Sequence, residues 1–177
     1  MGVIKRSGFS FFRKEWEMVK KLMLKPEKCI GCRTCEVICS WNKGKNFNPR
    51  NSAVSVINYE EAFVSVPVMC LQCEEAYCVK VCPVNAMYKD ADGTVKNDTS
   101  KCIGCKMCVN ACPLGNVSFS QANRKIIKCD LCDGDPGCAK YCPSGAIVYT
   151  DEEDGLGRKK AIAHTLKVAF GAEEAAK

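Results

Sequence analysis

The chain has 177 residues, sixteen of them cysteine and one histidine, and a formal charge of +6. Cysteine at several times its usual density excludes an ordinary soluble domain, and no long uncharged apolar run is present to form a membrane-spanning helix. The basic balance is formal only, because it counts every thiol as neutral.

In chain order, residues 1–28 carry no cysteine and form an amphipathic extension with eight Lys or Arg against three Glu. Phe12, Trp16, Val19 and Met23 recur at i, i+4, i+7 and i+11, which predicts a helix whose apolar face covers the protein's own core or docks on a partner. The opening MGVIKRSGFSFFRKEWEMVKK is charged throughout, and Lys5-Arg6 is not a twin-arginine signal. A cytoplasmic location is therefore expected, where a disulfide scaffold would not persist. The segment KLMLK then reads as a short strand before the first cysteine group.

The cysteines fall into four groups of four: Cys29, Cys32, Cys35 and Cys39; Cys70, Cys73, Cys78 and Cys82; Cys102, Cys105, Cys108 and Cys112; Cys129, Cys132, Cys138 and Cys142. Zinc ribbons separate two C-x2-C pairs by a long spacer, whereas here the third cysteine follows within two to five residues. The compact run C-x2-C-x2-C-x3-C is the spacing of 4Fe-4S ligation, so all sixteen are read as iron ligands, with structural zinc as the alternative. Proline follows the last cysteine of three groups, at Pro83, Pro113 and Pro143, but the first group continues Cys39-Ser40-Trp41. Gly31 and Gly104 occupy the two CIGC turns, where backbone must curl closely around a ligand.

Asn42 to Glu61 is expected to be a loop that becomes a strand near Ala53 to Ile57. Further strands are expected in FVSVPVM, AMYKD, TVK, NVSFS, KIIK and AIVYT, with no more than about one helical turn between the third and fourth cysteines of a group. DADG, at 90–93, is a turn between strands, and DGDPG, at 133–137, is an irregular insert. Trp41, Tyr77 and Tyr141 adjoin ligands and are read as packing that keeps water from them. Residues 151–177 are expected to form a charged, Ala- and Glu-rich surface arm, serving assembly or no function, with His164 as a surface residue.

From Lys20 to Thr150 the chain resembles the polyferredoxin-type electron-transfer subunits that accompany molybdenum, tungsten and nickel oxidoreductases. The resemblance rests on all four cysteine groups, in VPVMCLQCEEAYCVKVCPVNAM, KCIGCKMCVNACPLGNV and KIIKCDLCDGDPGCAKYCPSGAI among others. CSWNKGKNFNPRNSAVSVI and ACPLGNVSF look most like the small subunits of tungsten-dependent aldehyde oxidoreductases and benzoyl-CoA reductases. Some relatives replace a cysteine of the third group with tryptophan; Cys105 is present here, so four 4Fe-4S clusters are expected.

The resemblance implies an α+β fold of two nested bacterial ferredoxin-like units. One comprises residues 29–63 and 125–150, and the other, inserted, residues 64–124. In two-cluster ferredoxins the fourth cysteine of each run binds the other run's cluster. The implied sets are Cys29, Cys32, Cys35 with Cys142; Cys129, Cys132, Cys138 with Cys39; Cys70, Cys73, Cys78 with Cys112; and Cys102, Cys105, Cys108 with Cys82.

Sixteen thiolates on four cores of about 2+ each add about −8, which turns the formal charge into about −2. The lysine excess then offsets the clusters, and nucleic acid is not expected as a partner. Saturated iron leaves no open position for substrate, and no nucleophile–base pair, dinucleotide fingerprint or P-loop occurs. The expectation is a non-catalytic subunit relaying electrons between a catalytic tungsten or molybdenum oxidoreductase subunit and a ferredoxin, a flavoprotein or another redox subunit. Homo-oligomeric assembly through the termini is a further expectation, and hydrogenase and carbon monoxide dehydrogenase complexes are alternative settings. An incompletely ligated, aconitase-like or radical enzyme would be a different class.

Overall fold

The computed structural model describes residues 20–121, 123–150 and 163. Among them, short strands and helices alternate along the chain, as β1 (Lys21–Leu24), α1 (Thr34–Gly44), β2 (Val54–Tyr59), β3 (Val64–Met69), α2 (Tyr77–Lys80), β4 (Met87–Lys89), β5 (Val95–Asn97), α3 (Met107–Asn110), β6 (Ser118–Ser120), β7 (Lys125–Ile127), α4 (Gly137–Lys140) and β8 (Ile147–Thr150). This is a small mixed helix and strand architecture of the ferredoxin-like kind.

All described strands pair antiparallel in twos. Three pairs are local hairpins: β2 with β3, β4 with β5, and β6 with β7. The β4–β5 hairpin is closed at DADG, where Asp90 N–H donates to Thr94 O at 2.8 Å and Gly93 N–H to Asp90 O at 2.9 Å. The fourth pair joins distant parts of the chain, setting Lys21 opposite Thr150 and Leu24 opposite Ile147. Leu22 and Leu24 face inward and their neighbours outward, the two-residue period of a strand with one buried face. Met23 is therefore on a strand and does not extend an N-terminal helix; Phe12, Trp16 and Val19 lie outside the described residues, as does His164.

Among the described residues, the buried apolar side chains form two clusters. Leu22, Leu24, Val54, Val56, Met69, Leu131 and Ile147 pack with Cys35, Cys39, Cys70, Cys129 and Cys138. Ala76, Met87, Val95, Val117 and Ile126 pack with Cys108. Neither contains a buried aromatic ring, and cysteines make up much of the first. Cores this small rarely hold a fold without covalent or metal cross-links.

The helices differ in length for a local reason. α2, α3 and α4 are 4 residues each, and each lies just before a Cys-Pro step, where the residue preceding proline resists helical geometry. α1 runs for 11 residues, through Cys39 to Gly44. The sequence reading of a single turn followed by a loop from Asn42 is corrected here: Ser40 stands where the other groups have proline, so nothing stops the helix. Ser40 is 0% exposed and its hydroxyl donates to Val37 O at 2.8 Å. The longer helix lies against α4 so closely that a Cβ on Gly137 would stand 2.6 Å from Ile38 Cγ2.

Candidate metal centres

Each cysteine group begins with a C-x-x-C turn, and in all four the residue just before the second cysteine has positive φ. These are Gly31 (68°), Gln72 (50°), Gly104 (72°) and Leu131 (60°). This conformation aims successive backbone N–H groups toward the concave side of the turn, where sulfur sits. Glycine adopts it freely, while Gln72 and Leu131 bear a cost of about 1–2 kcal/mol that their surroundings must offset. The common offset within the four motifs is the signal that could have identified those two residues from sequence.

The turns bring together cysteines far apart in the chain. Cys29, Cys32 and Cys35 line one cavity with Cys142. Cys129, Cys132 and Cys138 line another with Cys39. Cys78 lies in the electrostatic field of Cys70 and Cys112, and Cys108 in that of Cys102 and Cys105. The neighbours that most affect Cys82 are the backbone N–H groups of residues 84–87. All sixteen thiols are free. Among the described residues no three His, Cys, Asp or Glu side chains converge on a position for a single metal ion. Soft thiolates dispersed around a cavity fit an iron–sulfur core, whose sulfurs are farther apart than the ligands of one tetrahedral ion.

The fourth cysteine of each group is held by backbone N–H donors. Met87 N–H reaches Cys82 Sγ at 3.5 Å and Asn116 N–H reaches Cys112 Sγ at 3.3 Å. Cys142 receives the N–H groups of Ile147, Ala146 and Ser144 together with the Ser144 hydroxyl. Each Cys-Pro step turns the chain back so that residues four or five positions later face the sulfur. Cys39, inside α1, has no such return, and its donor is Ala53 N–H at 3.2 Å, from just before β2. Asn42 Nδ2 reaches the sulfur of Cys132 at 3.9 Å from the next turn of α1.

Thiol acidity follows the same geometry. Burial, then the negative charges of Glu36, Cys29 and Cys142, push Cys35 up to about 12. Burial likewise raises Cys129 to about 12 and, with Cys102 and Cys105 nearby, Cys108 to about 11. Cys138 is raised further, again chiefly by burial and then by Cys129, Cys39 and Cys132. Cys82 and Cys142 move the other way, because their combined backbone hydrogen bonds outweigh burial. Without metal, the deep thiols hold their protons at neutral pH, so binding iron there must release them.

Several polar groups pair across the junction of the two cores. Lys43 and Asp130 form an ion pair at the end of α1. Burial opposes both charges, yet the hydrogen bond between them leaves the lysine raised and the carboxylate lowered. Glu36, 5% exposed, accepts from Val56 N–H at 2.6 Å and so ties α1 to β2. Gln72 donates to Cys129 O at 2.8 Å and accepts from Val95 N–H at 3.0 Å, which joins the second turn to the fourth. Sequence reasoning gave no role to Glu36, Gln72 or Lys128, because each has a deciding partner 20 or more residues away.

Trp41, Tyr77 and Tyr141 are 42%, 55% and 57% exposed. This corrects their reading as water-excluding packing: closeness to a ligand along the chain does not bury a side chain against it, and all three rings are exposed. Trp41 stacks instead on exposed Phe47, with ring centroids 4.8 Å apart.

Free thiols in glycine-like turns, with N–H groups aimed at sulfur, define an iron–sulfur protein of the ferredoxin class. Residues 62–152 match the model of the 4Fe-4S dicluster domain, and residues 26–44 that of a 4Fe-4S binding domain. The chain belongs to this 4Fe-4S dicluster family, among its polyferredoxin-type electron-transfer members. It is 38% identical over 136 residues to the putative electron transport protein YsaA of Escherichia coli K12, covering 71% of this chain and 86% of that protein. It is 39% identical over 123 residues to the polyferredoxin-like subunit of the aliphatic sulfonate oxidoreductase of Pyrococcus furiosus, covering 68% of this chain and 70% of the relative. A solved structure of the BamBC active site complex of benzoyl-CoA reductase aligns with a TM-score of 0.47 at 28% identity, over 88% of this chain and 94% of the other. Among the described residues no helix is long and apolar enough to cross a membrane.

Proposed function

We propose that the chain carries four 4Fe-4S clusters and serves as the non-catalytic wire of an oxidoreductase complex. It would relay electrons between a catalytic subunit of the tungsten-dependent aldehyde oxidoreductase type and a ferredoxin or flavoprotein. The ligand sets are Cys29, Cys32, Cys35 and Cys142; Cys129, Cys132, Cys138 and Cys39; Cys70, Cys73, Cys78 and Cys112; and Cys102, Cys105, Cys108 and Cys82. Residues 29–63 with 125–150 then form one ferredoxin-like unit, and residues 64–124 the unit inserted into it.

The observation that carries this reading is the crossing of fourth cysteines. Cys142 joins the first group around one cavity, and Cys39 joins the fourth group around another. Adjacent runs in two-cluster ferredoxins exchange ligands in the same manner. The Pyrococcus furiosus relative is a polyferredoxin-like subunit of an oxidoreductase, which supports a subunit role here.

When bound, a 4Fe-4S cluster accepts and releases one electron without making or breaking a bond. The chain's own residues do the remainder. Four thiolates per site saturate the iron, so no coordination position is left for substrate. The N–H groups of Ala53, Met87 and Asn116 stabilise charge on Cys39, Cys82 and Cys112, and such bonds set the reduction potential.

Anaerobic purification of the native complex tests the proposal. Expected are about sixteen iron and sixteen acid-labile sulfide per chain, with tungsten in the co-purifying subunit. Molybdenum or nickel in that subunit would change the assigned partner, while colourless, zinc-bearing material without sulfide would end the electron-transfer reading.

A further inference from the structure

Lys128 follows β7 and is 5% exposed. Its Nζ donates to Cys129 O at 2.7 Å, to Val95 O at 2.8 Å and to Gln72 Oε1 at 3.4 Å. The three acceptors match the three hydrogens of a lysine ammonium. Among the described residues no carboxylate pairs with it. A cation out of water with only neutral acceptors is costly to keep, so a negative charge nearby must compensate it.

Its position shows where that charge lies. Gln72 belongs to the turn of the second cysteine group, and Cys129 opens the fourth. The ammonium's field acts on Cys78 and on Cys129 in the sense that favours thiolate. Lys43, which also acts on Cys129 and Cys132, is paired with Asp130. Among the described residues, the charged groups that act most on Cys35 are Glu36, Cys29 and Cys142, and those that act most on Cys108 are Cys102 and Cys105, none of them a cation.

We infer that Lys128 is the buried counter-charge shared by the Cys70, Cys73, Cys78, Cys112 set and the Cys129, Cys132, Cys138, Cys39 set, and that it raises the reduction potential of those two clusters alone. The inference rests on the four ligand sets proposed above. Reduction places one electron on a cluster and takes a thiolate-bound 2− group to 3−. A fixed cation stabilises the more negative form, in proportion to its proximity and to the low polarity between. Lys128 thus acts as a tuning residue at the junction of the second and fourth cysteine turns.

The test uses the full chain, purified anaerobically as wild type, K128M, K128Q and K128R, with iron and sulfide counted before each dithionite titration followed by electron paramagnetic resonance. In K128M and K128Q two of the four clusters should become harder to reduce. Their reduced-to-oxidised ratio at the wild-type midpoint should fall on the order of tenfold, equivalent to about 59 mV for one electron. The other two should not move, and K128R should restore the wild-type pattern. Four unmoved midpoints, or four that shift together, overturn the inference. If K128M and K128Q fail to retain clusters, full loading of K128R supports the counter-charge, whereas equal loss in K128R reduces Lys128 to packing and overturns it. A wild-type chain with fewer than four clusters would instead refute the underlying ligand assignment, whatever the variants do.

Discussion

The first and third cysteine groups begin almost identically, CIGCRTCEVIC and CIGCKMCVNAC, and diverge in structure. In the first, α1 continues for 11 residues and reaches α4; in the third, α3 ends after 4. Their turns share a left-handed glycine, at Gly31 and Gly104. The cause of divergence is the residue after the last cysteine, Ser40 in one and Pro113 in the other. A proline there ends the helix and returns the chain, so Cys112 takes its hydrogen bond from Asn116. Without it, Cys39 stays in a helix and relies on Ala53. Identical ligand spacing can therefore support either a self-contained site or one completed by the rest of the fold.

The largest effect should come from removing what both groups share. Stripping iron with a chelator under anaerobic conditions should abolish cooperative structure, because Cys35, Cys39, Cys70, Cys129 and Cys138 are themselves core residues and metal binding energy is folding energy in such small domains. Native circular dichroism surviving complete iron loss would contradict this. Next comes the difference itself. Ser40→Pro places proline inside α1, removes a helical hydrogen bond and should cost about 3 kcal/mol, seen as faster bleaching of visible absorbance in denaturant. Bleaching at the wild-type rate would show that the extended helix is dispensable.

The contact between α1 and α4 is tested by Gly137→Ala, whose new Cβ would meet Ile38 Cγ2 at 2.6 Å. A loss of about 1–3 kcal/mol is expected, largely recovered by adding Ile38→Ala; failure of that rescue in a double-mutant cycle would place the strain elsewhere. A smaller contrast separates the two CIGC turns. Both Gly31→Ala and Gly104→Ala incur the left-handed cost, but only the first brings Cβ to 2.7 Å from a neighbour, Ser65 Oγ. Gly31→Ala should therefore be worse by about 1 kcal/mol, with Ser65→Ala removing the excess; thermal bleaching midpoints compare the two. Smallest of all, Pro113→Ser should change stability by only a few tenths of a kcal/mol, since the Cys112 sulfur keeps its Asn116 donor. A large loss would mean that the proline, and not the returning backbone, holds the site.

Much of the local fold was legible in advance. The strand positions in FVSVPVM, AMYKD, TVK, NVSFS, KIIK and AIVYT agree with β3 to β8, and DADG is a turn with Gly93 at φ 79°. These are short-range features, set by side-chain alternation and by glycine within a few residues. Three readings failed where a neighbour in sequence was not the deciding neighbour in space. Met23 fits a helical period but pairs as a strand with Val148. The aromatic residues beside ligands face solvent. The length of α1 depended on a proline that is missing.

By itself, the sequence determined the chemistry: four runs of thiols at a spacing that only a compact, multi-sulfur centre satisfies, each opened by a turn a few residues long. Tertiary structure alone decided that Asn42 stands beside Cys132 and that Lys128 is buried between the second and fourth turns. The division has a physical basis. Turn geometry and ligand spacing are governed by backbone sterics over a few bonds, whereas proximity across 90 or more residues, as between Asn42 and Cys132, arises only when hairpins and helices close around a common core.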